Sequence, residues 1–123
     1  MRAKQRTLYG QALVISGLDE TGEAEMRWGM DELATLHESD PNDGPIASSF
    51  SLSCCHLAEF LYDFALRPEN AARSDDVLRE TRDIARRGLE VASRLLETAR
   101  DMQVIYVEYT CRKIITACDD ELR

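Results

Sequence analysis

The chain has 123 residues, of which 44% are hydrophobic and 31% charged, with only six glycines and three prolines. This length predicts a single domain, residues 1–123, and the composition excludes a chain that is disordered throughout. The formal net charge of −8 argues against binding to nucleic-acid phosphates or to an anionic membrane surface. No apolar stretch is long enough to predict a transmembrane helix. We therefore expect a cytoplasmic protein with no direct nucleic-acid partner and no membrane partner.

The first third of the chain contains one clear helical pattern. Residues 1–18 carry three basic residues and no acid, and their pattern fits either a helix or an extended arm. Residues 21–38 have apolar side chains at helical spacing, which predicts a helix capped by Thr21. Residues 39–45 are dense in turn formers and predict a loop.

Residues 46–66 are predicted to form a helix that is apolar on two nearly opposite sides. The broader side consists of Phe50, Cys54, Leu57, Ala58, Leu61, Phe64 and Ala65. The second side consists of Leu52, Cys55, Tyr62 and Leu66, and only Glu59 interrupts it. Such a helix is either central in a bundle or shared with a partner chain.

Residues 74–119 are predicted to form one long C-terminal helix, capped by Ser74 and roughly 65–70 Å in length. Its inner stripe includes Met102 and Tyr106. Charges occupy the outer face as far as Asp101, and beyond that point the face becomes apolar. Residues 104–109 are rich in strand formers, so a break or a strand is the alternative there. In either form, this stretch needs to be covered by another surface.

The cysteines and histidines form no recognisable catalytic or metal-binding pattern. Cys54 and Cys55 are adjacent, and the other two cysteines lie seven residues apart, about 10.5 Å along a helix and too far for a mutual disulfide. We expect buried, reduced thiols. His56 and Glu59 lie one turn apart, but a ferritin-like metal site needs the order Glu then His and further inward carboxylates. We therefore expect no enzymatic activity, no metal and no cofactor.

The excess of apolar helix surface predicts binding to other protein chains, because a large apolar patch seldom stays exposed. We expect an all-α protein, a three- to four-helix bundle with a long C-terminal helix, that forms a homodimer and can also bind a further partner. Which apolar face serves which partner stays open. The residues expected at the homodimer or partner interface are Leu52, Cys55, Glu59, Tyr62, Leu66, Val104, Ile105, Tyr109 and Ile115.

The acidic residues are concentrated in one part of the chain. Residues 19–43 contain nine acids against Arg27 alone. This flank is either a solvated face or a surface that attracts a basic partner. An immunity protein or anti-CRISPR-type inhibitor that blocks a basic channel with this flank is therefore the alternative function.

Two segments resemble a known family. Residues 49–61, SFSLSCCHLAEFL, and residues 87–92, RGLEVA, are similar to the QslA-type anti-activators of quorum sensing, short helical proteins of pseudomonads. The likeness in size, acidity and helical pattern covers most of the chain. It implies a small helical dimer that sequesters a LuxR-type transcriptional activator, similar to LasR, by covering its dimerisation surface. The separated activator chains would bind DNA poorly, and quorum-sensing activation would be blocked.

Overall fold

The computed structural model describes residues 19–123, which form four α-helices and one short 3₁₀ helix. These are α1 (Asp19–Ser39), α2 (Gly44–Leu66), the 3₁₀ helix (Pro68–Arg73), α3 (Ser74–Leu96) and α4 (Met102–Glu121). Because no strand occurs among these residues, the all-α prediction is confirmed for them. The possible arm at residues 1–18 lies outside the described residues.

The helix α2 lies at the centre of the bundle, because it packs against each of the other three α-helices. The helices α3 and α4 also pack on each other. Along α2, the side chains of Leu57, Ala58 and Leu61 are at most 1% exposed. The broader apolar side of this helix is therefore covered within the chain, whereas the second side is covered only in part, since Cys55 is 0% and Leu66 44% exposed.

The N-terminal caps differ in part from those expected. Asp43 caps α2, since its carboxylate accepts a hydrogen bond from the backbone N–H of Ile46 at 3.0 Å. Thr21 and Ser74, which were expected to be caps, lie inside the first turns of α1 and α3. Arg73 occupies the N-cap position of α3 and makes no side-chain capping bond.

The prediction of one continuous helix over residues 74–119 is wrong, because the chain leaves the helix between Leu96 and Met102. The backbone N–H groups of Thr98 and Ala99 both bond to the carbonyl of Leu95 and close α3. The carboxylate of Asp101 accepts a hydrogen bond from the backbone N–H of Val104 at 3.1 Å and starts α4. Two helices of about 30–35 Å replace the long one and bury their apolar sides against each other.

An ion pair joins α1 to α3 across the surface. The guanidinium of Arg27 donates two hydrogen bonds to the carboxylate of Glu80, at 2.8 and 2.9 Å, and a third to Glu23 at 3.0 Å. The bond from Arg27 holds the pKa of the Glu80 carboxyl below its usual value. Since both partners are partly exposed, we expect this pair to contribute about 1 kcal/mol or less.

Candidate interaction surface

The helix α4 buries one side and exposes the other. Its buried side consists of Val104, Val107, Cys111, Ile114 and Cys118. On the opposite side, Met102 is 81%, Tyr106 45% and Tyr109 65% exposed. Positions separated by three or four residues share one face of a helix, and that face continues to Asp120. The exposed residues Met102, Tyr106, Tyr109, Lys113, Thr116 and Asp120 are here called the outer stripe of α4.

An open groove of about 380 Å³ separates α2 from α4 beside this stripe. Leu66 lies one helical turn beyond Tyr62 on α2 and is 44% exposed. The groove and Leu66 together are here called the groove surface, and its residues are Glu59, Tyr62, Leu66, Thr110, Lys113, Ile114 and Ala117.

Glu59 holds the edge of the groove in place. Its Oε1 atom accepts a hydrogen bond from the hydroxyl of Tyr106 at 3.0 Å and one from the Sγ of Cys55 at 3.3 Å. Burial, together with the bond to Glu59, raises the pKa of Tyr106 to about 12, so this hydroxyl stays a neutral donor at pH 7. We assign Glu59 a positioning role, since its carboxylate fixes the ring of Tyr106 against α2.

Two of the residues predicted to face a partner lie inside the bundle instead. Cys55 is 0% and Val104 3% exposed, which corrects that part of the prediction. The turn at residues 97–101 starts a new helix and places Val104 on the inner side of α4. Cys55 is buried because α4 packs over that side of α2. The hydroxyl of Tyr106, on α4, donates to the same Glu59 oxygen as the thiol of Cys55.

The other predicted interface residues differ in how far they are exposed. Leu66 and Tyr109 are well exposed, at 44% and 65%. The remaining apolar ones, Leu52, Tyr62, Ile105 and Ile115, are partly buried.

Sequence reasoning placed Met102 and Tyr106 on an inner stripe, and both are exposed. Asp101 was the available signal, because an aspartate at an N-cap can begin a new helix and reset the face on which later residues lie.

The cysteines are all buried and free of disulfides, as the sequence predicts. Burial raises the pKa of the Cys54 thiol to about 12. A hydrogen bond to Cys111 and burial together raise the pKa of the Cys55 thiol as well. Thiols in this state are protonated at pH 7 and are therefore poor nucleophiles and poor metal ligands.

The two histidines, His37 and His56, lie in different surroundings. The ring of His37 stacks on that of Phe50, with centroids 5.6 Å apart. His56 is partly buried, and burial lowers its pKa, so that its ring is neutral at pH 7. In the part of the chain that the structure describes, no group of three or more His, Cys, Asp or Glu side chains is placed to hold a metal ion.

The acidic flank forms a second, separate surface on α1. Glu23 is bound to Arg27, whereas other acids of this helix and of the loop after it point into solvent. These exposed acids are Glu20, Asp31, Glu32, Glu38 and Asp40.

Comparison of the chain with protein-family models, curated proteins and solved structures found no match. Among residues 19–123, no helix is both long enough and apolar enough to cross a membrane.

Proposed function

We propose that this protein is a non-enzymatic regulator that binds another protein through the groove surface. The observation that carries the proposal is the exposed apolar surface beside an open groove, where Leu66 is 44% exposed and Tyr62 lies one turn away. Burying such surface against a partner gains about 25 cal/mol for each Å² removed from water. Leu66 is not one of the buried core residues, so its side chain is available to a partner.

The partner that we propose is a LuxR-type transcriptional activator similar to LasR. The resemblance of residues 49–61 and 87–92 to anti-activators supports this choice, and the first of these segments lies within α2 and includes Glu59 of the groove surface. By covering the dimerisation surface of the activator, the protein would leave single DNA-reading domains, which lose the two half-site contacts of the dimer. This mechanism is stoichiometric and needs no nucleophile, in keeping with the burial of all four thiols.

The variant Leu66→Glu should lose binding to the activator. A charge placed in an apolar interface costs about 2 kcal/mol or more, equivalent to roughly a thirtyfold weaker complex. The variant Leu36→Glu is the matched control, since Leu36 is 45% exposed but lies on α1. Titration calorimetry with the purified, ligand-bound activator measures both affinities, and urea unfolding checks that both variants are folded.

Tyr62→Lys provides a second substitution on the same surface. Because Tyr62 is partly buried, the unfolding midpoint of the Tyr62→Lys variant must be compared with that of the wild type. Wild-type affinity in folded Leu66→Glu and folded Tyr62→Lys would remove the groove surface from the mechanism. An equal loss in Leu36→Glu would remove it as well.

The second candidate is an immunity protein or anti-CRISPR-type inhibitor, and the exposed acids of α1 and the loop after it favour it. Such an inhibitor would bind a basic nucleic-acid channel by charge, so its affinity would fall steeply with salt. The double reversal Asp31→Lys and Glu32→Lys should abolish that inhibition and leave binding through the groove surface unchanged. The same pair of residues therefore separates the two functions.

A further inference from the structure

Lys113 carries the positive charge of the groove surface, and its side chain is exposed. Its neighbours on the face of α4, three or four positions away, are Tyr109, Thr110, Thr116 and Ala117, and none of them is charged. In the part of the chain that the structure describes, the ammonium of Lys113 forms no ion pair and lies 5.7 Å from the centroid of the Tyr109 ring. The groove therefore presents a cation that no acid of this chain neutralises by contact.

The other charges at the groove already have partners. Glu59, the other charged residue that lines it, accepts hydrogen bonds from the thiol of Cys55 and the hydroxyl of Tyr106. On α4, the guanidinium of Arg112 lies 3.8 Å from the carboxylate of Glu108. A chain that covers the groove would thus have one charge left to match.

We propose that the groove surface binds an amphipathic helix of the activator, and that Lys113 selects this helix by pairing with a carboxylate on it. The inference rests on the proposed function and adds the chemistry by which the partner is recognised. Covering an ammonium with apolar surface and no counter-charge is costly. A helix with Asp or Glu at this point is therefore accepted, and one with Lys or Arg there is rejected.

The shape of the groove favours a helix as its occupant. The groove lies between two helices, and the α4 residues that line it extend from Thr110 to Ala117, two turns or about 10 Å. On α2, Tyr62 and Leu66 are one turn apart, a spacing that receives apolar residues three or four positions apart on a facing helix. An added strand would need an exposed sheet edge, and residues 19–123 contain no strand.

Reversal of the charge at Lys113 tests the pairing. Lys113→Glu should bind the purified, ligand-bound activator at least about tenfold more weakly, because it places two carboxylates in contact. Lys113→Arg keeps the positive charge and should retain most of the affinity. Titration calorimetry measures both variants, and urea unfolding checks that both are folded.

Arg112→Glu is the matched control. It makes the same change of charge at the adjacent residue, which points about 100° away around the helix and does not line the groove. This variant should bind the activator within about threefold of the wild type, since rim charges outside a contact act mainly on association rates. An equal loss in Arg112→Glu and Lys113→Glu would assign the effect to net charge and would overturn the pairing.

Acetylation of the lysine amine tests the contact without a substitution in the groove. The chain contains two lysines, Lys4 and Lys113, so Lys113 is the only lysine of the Lys4→Arg variant. An acetyl N-hydroxysuccinimide ester modifies this amine, and peptide mass spectrometry gives the rate. Saturating activator should slow the reaction by more than about tenfold, because a paired charge at an interface is removed from solvent.

The outcomes separate this inference from the function on which it rests. If the wild-type protein does not bind the activator, both are wrong. If Leu66→Glu weakens the complex and Lys113→Glu does not, the groove surface stands and the pairing with a carboxylate is wrong. Protection of Lys113 that increases with the concentration of this protein alone would mean that a second copy occupies the groove, and would also overturn the inference.

Discussion

Replacement of Gly88 by leucine should unfold the protein or lower its free energy of unfolding by about 3 kcal/mol or more. Gly88 lies where α3 passes closest to α2 and α4. A Cβ atom at this position would lie 2.9 Å from the Cβ of Cys54 and 3.3 Å from the Sγ of Cys111. Both neighbours are fully buried, so neither can move aside without opening the core.

Gly44 provides the control for this substitution. A Cβ atom at Gly44 would have no atom within 4 Å, so Gly44→Ala should be neutral or gain up to about 1 kcal/mol of stability. Urea unfolding followed by circular dichroism measures both variants. A Gly88→Leu variant as stable as the wild type would contradict the close approach of the three helices.

The variant Leu61→Ala should lower the free energy of unfolding by about 2–5 kcal/mol. Leu61 is 1% exposed on the central helix, and removing its side chain leaves a cavity that the surrounding helices fill only in part. Such a loss is a large share of the roughly 5–15 kcal/mol that stabilises a domain. Chemical denaturation, at equal protein concentration for all variants, gives the difference.

Leu66→Ala is the control on the same helix. Leu66 is 44% exposed, and its truncation should cost less than about 1 kcal/mol. Equal losses for Leu61→Ala and Leu66→Ala would mean that Leu66 belongs to the core, and the groove surface would then lose its main apolar residue.

The helical class and the central helix could be predicted from the sequence because their signals are local. The apolar spacing of residues 46–66 fixes a helix, and the turn formers at 39–45 fix the reversal before it. Apolar side chains on both sides of that helix predicted either a central place in a bundle or a side shared with a partner chain, and α2 occupies the central place.

The break before α4 has a weaker signal in the sequence, because residues 97–101 contain neither glycine nor proline and only Asp101, a possible N-cap, marks the start of a new helix. Each of these residues can occur in a helix. The break is favoured because it lets α3 and α4 pack on each other, and a single continuous helix could not make those contacts. Because the break was not predicted, the residues after it were assigned to the wrong faces of the helix. Val104 was placed outside and Met102 inside, whereas the structure has them the other way round.

The partner-facing surface depends on which helix covers which side of α2, and that information is not local. Cys55 and Tyr62 lie on one side of the predicted helix, yet α4 buries Cys55 completely and leaves Tyr62 partly exposed. Sequence periodicity identifies a face that avoids water. It does not distinguish cover by the same chain from cover by another.

Release of a LuxR-type activator from its operator tests the central proposal most directly. Fluorescence anisotropy of a labelled operator is followed while this protein is added to the activator–DNA complex. We expect the bound fraction to fall to zero near one chain per activator chain, and Leu66→Glu to release the operator only at a concentration roughly thirtyfold higher. An unchanged bound fraction at a large excess of wild-type protein would contradict the account.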